Sequence, residues 1–134
     1  MRELCLKRLI PVLMILSSIV FMTPNAFSAD NQDVTVVHNV VFWFKPGTAE
    51  TVVETVIAEV KKFESLPMVR AVYVGKALMS DRDVVDDSFS VMLTLVFDSE
   101  QNLRQYESDP YHQRVSQEII LPHVIKGVVY DYFN

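Results

Sequence analysis

His38, Tyr106 and His112 are the residues whose types and spacing could do chemistry. An imidazole changes charge near neutral pH, so a histidine in a cleft can take or give a proton. A tyrosine hydroxyl beside it can polarise a bound carbonyl. His38 alternates with Val40 and Phe42 on one side of an extended segment. Tyr106 follows Leu103 by three residues, which puts both on one helical face. His112 opens the next segment on the face of Val115 and Ile119. If those faces meet, the three groups converge as a general base and a polarising donor. The same residues also read as hydrogen-bonded core histidines and a core tyrosine with a satisfied hydroxyl.

Other chemistries find no support. His112 and His123 are eleven residues apart, not the i,i+4 spacing of a helical metal pair. The only cysteine is Cys5, which excludes an intrachain disulfide and a Cys-based zinc cage. There is no Gly-rich phosphate loop and no Gly-x-Ser-x-Gly elbow. Asp81, Asp83, Asp86 and Asp87 lack the glycine and terminal glutamate of a calcium loop and read as a solvated loop. The expectation is no metal and no cofactor.

The elements that must position these groups follow from hydrophobic periodicity. Residues 34–45 are rich in β-branched and aromatic side chains and predict a first strand. Pro46-Gly47 stops it, and Thr48 is the expected N-cap of a helix over 49–63. That helix carries a stripe of Val52, Val53, Val56, Ile57, Val60 and Phe63. Residues 69–76 and 89–97 predict two further strands. Asp98 or Ser99 caps a short helix to about Tyr106, and Asp109-Pro110 breaks it and starts another that ends near Pro122. A last strand is expected over 128–133. The order β-α-β-β-α-β is the split βαβ, ferredoxin-like pattern: an α+β domain with a four-stranded antiparallel sheet and helices on one face.

Alternation places Val37, Val41, Trp43, Val72, Val74, Met92 and Val96 on the face away from the helices. A sheet face open to water should be polar. This apolar set, with no helix left to cover it, predicts a homodimer through the sheet face.

Residues 1–28 have a different character. Arg2, Lys7 and Arg8 precede an uncharged apolar run over 9–22, followed by the small residues Ala26, Ser28 and Ala29. Fourteen residues make about 21 Å of helix, short of the ~30 Å of a bilayer core. This is the order of a secretory signal peptide, with cleavage after Ser28 or Ala29 and one domain over 29–134. The expected location is periplasmic or secreted. The whole chain carries a formal charge of −5, and residues 1–29 hold three basic groups against one acidic, so the remainder is more acidic still. Nucleic acid is excluded as a partner because counterion release needs clustered Lys and Arg. Adhesion to an anionic membrane after cleavage is excluded on the same charge.

Four segments, VHNVVFWFKPG at 37–47, VYVGK at 72–76, QYESDPYHQRV at 105–115 and VVYDYFN at 128–134, carry a resemblance. Through them the chain is similar to a known family, the stress-responsive dimeric α/β-barrel (Dabb) domain. The order Tyr106, Pro110, His112 is the most specific part of the resemblance. The resemblance implies a ferredoxin-like domain pairing as a dimeric α/β barrel. It implies a small-ligand pocket with Tyr106 and His112 as the catalytic pair, as in a plant polyketide cyclase of the family, and His38 as a ligand contact. Val40, Phe42, Val56, Ile57, Val60 and Val115 are then the expected apolar walls. At Val56, Ile57 and Val60 the plant cyclase has aromatics, and where the family motif has a second histidine this chain has Asp109. The expected function is an exported, stress-related dimer binding a small apolar or carbonyl-containing ligand. The alternatives are a lyase- or cyclase-type enzyme with His112 as base and, more weakly, haem binding through an axial histidine.

Overall fold

The computed structural model describes residues 35–134. The signal-peptide reading of 1–28 lies outside the described residues. The chain runs β1 (Val36–Phe44), α1 (Glu50–Lys61), a 3-10 turn (Lys62–Ser65), β2 (Ala71–Gly75), β3 (Val91–Phe97), α2 (Glu100–Ser108), α3 (Pro110–Arg114) and β4 (Val124–Phe133). Between α3 and β4 the helical path continues through a π-type segment (Val115–Ile120) and a 3-10 turn (Leu121–His123). The four strands form one antiparallel sheet in the order β2-β3-β1-β4. That is the ferredoxin-like α+β arrangement expected from the element order.

α1 and α2 are held by the faces they bury. On α1 the residues Val53, Val56 and Val60, continued by Phe63, bury against the sheet at spacings of three and four. Valine is a weak helix former, so this packing rather than propensity holds α1 in place. The expected Thr48 cap is not made: Ala49 occupies the cap position without a side-chain bond. The Thr48 hydroxyl instead donates to the Lys45 carbonyl at 2.7 Å, and its backbone N–H donates to the same oxygen at 3.1 Å. This closes a turn over Pro46-Gly47, whose Gly47 has φ +81°, a conformation that side-chain-bearing residues rarely adopt. Ser99 does cap α2, its hydroxyl accepting from the Asn102 N–H at 3.2 Å.

β4 begins four residues earlier than expected and runs through Gly127. Gly127 pairs with Phe42, and a Cβ there would make ordinary van der Waals contact with the Phe42 ring at 3.6 Å. A second correction concerns β2. Val72 pairs with Leu95 and Val74 with Leu93, and both valines pack against the core on the helix side. Ala71, Tyr73 and Gly75 take the opposite face. The expectation that Val72 and Val74 face away fails by one residue, which in a strand flips every side chain.

The core therefore lies between the helices and one sheet face, built from Val36, Val40, Phe44, Leu93, Leu95 and Phe97 against Val56, Val60, Phe63, Leu103, Tyr106 and Val115. Among the described residues no helix is long and apolar enough to cross a membrane.

Candidate functional site

His38 is the only buried polar or charged residue among those described, 8% exposed on the helix-facing side of β1. A polar group in such a position needs a partner. It has one in Asp131, directly opposite on β4, with Nδ1 and Oδ1 2.6 Å apart. Because a carboxylate only accepts, the bond places the proton on His38 Nδ1.

Tyr106 lies across the core from His38. It is 2% exposed, wedged against Phe63 and Phe97 at ring-centroid distances of 5.4 and 5.3 Å, and it meets the His38 ring edge-on at 6.1 Å. Its hydroxyl has no hydrogen-bond partner among the described residues. No buried side-chain N or O there is left unsatisfied, so this oxygen keeps contact with open space. Burial, with the charges of Asp109 and Glu107 nearby, pushes its ionisation far above that of a free phenol. Tyr106 is thus a proton-bearing donor and not a phenolate.

His112 stacks on Tyr106 with ring centroids 4.1 Å apart and a tilt of 34°. Residues six apart on one continuous helix would point about 240° away from each other. The break at Asp109-Pro110 removes that constraint. Asp109 is extended, as a residue before proline should be, and its carboxylate accepts from the N–H groups of Tyr111 and His112 at 2.8 and 3.2 Å. The new helix starts with Pro110 and turns His112 back onto Tyr106. His112 Nδ1 lies 3.3 Å from the Glu107 carbonyl. A carbonyl accepts, so Nδ1 carries the proton and Nε2 keeps its lone pair. Burial lowers the basicity of His112, partly offset by the Glu107 carbonyl.

These three residues line one cavity of about 250 Å³. Val40, Phe42, Phe63, Leu93 and Ile120 form its apolar wall, Ser116 and Glu107 add polar atoms, and Leu121 and Val129 complete the lining. Leu121 and Val129 are 53% and 52% exposed, which puts the opening on their side. The volume is below the ~300–1,000 Å³ of drug-sized sites and admits a molecule of about one ring, not a porphyrin.

Of the expected apolar contacts, Val40 and Phe42 line this cavity. Val56, Ile57, Val60 and Val115 do not. Val56, Val60 and Val115 are fully buried between α1, the π-type segment and the sheet, and Ile57 packs partly exposed beside them. Val56 and Val60 point from α1 into the closed core. Phe63, Leu93, Ser116, Ile120 and Val129 take their place. Asp131 was also missed, although it interrupts an apolar strand and could have been paired with His38 once β4 was set beside β1. Among the described residues no group of three or more His, Cys, Asp or Glu side chains could hold a metal ion.

A model of the stress responsive A/B barrel domain family matches residues 36–134. The chain belongs to this family. No curated protein matches the sequence. Among solved structures, the hydroxynitrile lyase of Passiflora edulis is similar, with a TM-score of 0.68 and 19% identity over 76% of this chain and 94% of the lyase. A dimeric ferredoxin-like protein of unknown function from Thermobifida fusca gives 0.63 and 20% identity, over 75% of this chain and 92% of that one. A Dabb family protein with a ferredoxin-like fold from Mesorhizobium loti gives 0.60 and 19% identity, over 74% and 95%. At these identities the likeness establishes the fold of this A/B barrel domain.

Proposed function

We propose that this protein is exported, pairs through its open sheet face into a dimeric barrel, and binds one compact apolar molecule bearing a carbonyl oxygen. The observation that carries the reading is the convergence of His38, Tyr106 and His112 on one small cavity with an apolar wall. The Tyr106 hydroxyl has no partner among the described residues and stays protonated, so it is available to donate to the ligand oxygen. Pairing is supported by the apolar open face and by relatives described as dimeric. Export rests on the basic start and apolar run of the first 28 residues. Protein recovered from a periplasmic fraction should have an intact mass lacking residues 1–28 or 1–29; full-length protein in the cytosol overturns that part.

The binding test uses benzaldehyde, which matches the cavity in size and carries the required oxygen. Titration should move the imidazole resonances of His38 and His112. Tyr106→Phe should keep the fold and weaken binding by ~1–3 kcal/mol, the worth of one hydrogen bond to a carbonyl in an apolar site. Equal affinity in the two proteins would remove the donor role of Tyr106.

A second reading is a lyase. It is favoured by the free Nε2 of His112, whose tautomer the Glu107 carbonyl fixes, and by the similarity to a hydroxynitrile lyase. In this reading an imidazole of the cavity takes a proton from the ligand while Tyr106 hydrogen-bonds the oxygen on which charge develops. The sequence points to His112 as that base. Release of benzaldehyde from mandelonitrile, lost in His112→Gln, is the corresponding assay.

A further inference from the structure

The cavity contains two imidazoles in unlike surroundings, and the lyase reading needs only one base. His112 has a neutral carbonyl as its hydrogen-bond partner, from Glu107 on α2, and its ring lies against Tyr106 and Phe63. His38 has a carboxylate, from Asp131 on β4. The two residues are a directly opposed pair in the β1–β4 ladder, so the backbone fixes their separation and not merely their side-chain rotamers. Asp131 is about half exposed while His38 is enclosed, so one end of the pair meets solvent and the other faces the cavity.

We propose that Asp131 is a positioning residue: it holds His38 with its proton on Nδ1 and makes His38 Nε2, rather than His112, the proton acceptor of the cavity. The proposal rests on the lyase reading for its chemistry and on the 2.6 Å bond for its geometry. With a cyanohydrin, the proton of the ligand hydroxyl moves to His38 Nε2, the O–H electron pair forms the new C=O bond, and the C–CN bond breaks with its pair leaving on cyanide, which then takes the proton back from the imidazolium; the ligand oxygen accepts a hydrogen bond from Tyr106 throughout. The imidazolium that forms then has the Asp131 carboxylate at Nδ1 to stabilise it, as the carboxylate of a catalytic triad does for its histidine. His112 has no such partner: Glu107 reaches it through its carbonyl, and Asp109 is engaged with backbone N–H groups. Burial also disfavours the charged form of His112. His112 then serves as a neutral wall and hydrogen-bond acceptor. His38, Asp131, Tyr106, His112 and Glu107 are the titratable groups at or beside the cavity from β1, β4, α2 and α3.

The test separates position from charge with two variants of the full domain. Long-range proton–nitrogen correlation spectra of the neutral imidazole should show His38 protonated on Nδ1 in the wild type. Asp131→Ala should move that proton to Nε2. Asp131→Asn keeps an acceptor oxygen and should preserve the tautomer while losing the charge. Asp131 is exposed enough that neither change should unfold the domain, which circular dichroism checks. With mandelonitrile, kcat should fall at least tenfold in Asp131→Ala with little change in KM, less in Asp131→Asn, and most in His38→Gln. A wild-type His38 protonated on Nε2, or one tautomer in all three proteins, overturns the proposal. So does turnover that survives His38→Gln and disappears in His112→Gln. If the wild type leaves mandelonitrile intact, the lyase reading fails on its own, and the tautomer still decides whether Asp131 sets the acceptor.

Discussion

The two faces of the sheet are made from the same four strands and have opposite histories of burial. On the helix side Val36, Val40, Phe44, Val91, Leu93, Leu95 and Phe97 are all buried, and the one interruption is His38. On the other side Val37 and Val41 are buried along the central strand, while Tyr73, Tyr130 and Tyr132 remain 66, 59 and 52% exposed. Trp43 lies there too, with the Lys126 ammonium 4.2 Å from its ring. A polar pair, Thr94 donating to Asn39 at 2.6 Å, sits between the two buried valines. The covered face is apolar apart from His38 and its partner Asp131, and that pair marks the site. The open face is aromatic and apolar without helices above it, and that excess is what the proposed pairing would cover. Polarity where burial is complete and apolarity where it is not are informative for the same reason: each departs from what folding one copy of the chain requires.

The strongest way to break this comparison is to charge the open face. Trp43→Asp places a carboxylate against the partner sheet at a cost of several kcal/mol if two sheets meet there. Light scattering should give a dimer for the wild-type domain and a monomer or aggregate for the variant. A wild-type domain that is monomeric at micromolar concentration would leave the open face without its proposed partner.

Removing the polar exception from the covered face should do much less to the fold. His38→Leu replaces an imidazole by an apolar side chain of similar size and leaves Asp131 half exposed, where water can solvate it. Stability in urea should stay within ~1 kcal/mol of the wild type, because a buried polar pair is seldom worth more than a well-packed apolar replacement. The benzaldehyde response should nevertheless be lost. A large destabilisation would mean that His38 is there for the fold, and the site would lose its most telling residue.

The contrast between the faces also explains what the sequence made legible. The element order, the strand faces of β1 and β3 and the break at Asp109-Pro110 are local patterns with a period of 2 or 3.6, and they can be read residue by residue. The convergence of His38, Tyr106 and His112 followed from them because each residue shares a face with an apolar neighbour. β2 is only five residues long, and its short alternation fixes no phase, so Val72 and Val74 were placed on the wrong side. Cavity walls are a property of packing. Nothing local distinguishes Val60, closed in the core, from Val40, which borders open space. Asp131 needed the register of β1 against β4, and register is set by the whole sheet.

The smallest expected effect concerns His112, a cavity group whose positive charge burial opposes. His112 is less basic in the folded protein than as a free imidazole, chiefly because its surroundings exclude water. The unfolded chain therefore binds more protons at this position as pH falls below about 6.5. Since unfolding stability rises with pH wherever the unfolded state holds more protons, His112 contributes stability above that pH and loses it as pH falls through the mildly acidic range. Thermal melts of the wild-type domain between about pH 7.5 and 5.5 should show Tm falling with acid. His112→Gln should flatten that fall, since glutamine does not titrate, while His38 and His123 remain in both proteins to carry whatever else is pH-dependent. Parallel curves would mean that His112 charges as freely in the fold as in water. The apolar stacking on Tyr106 would then not be the water-excluding contact that the 4.1 Å ring separation implies.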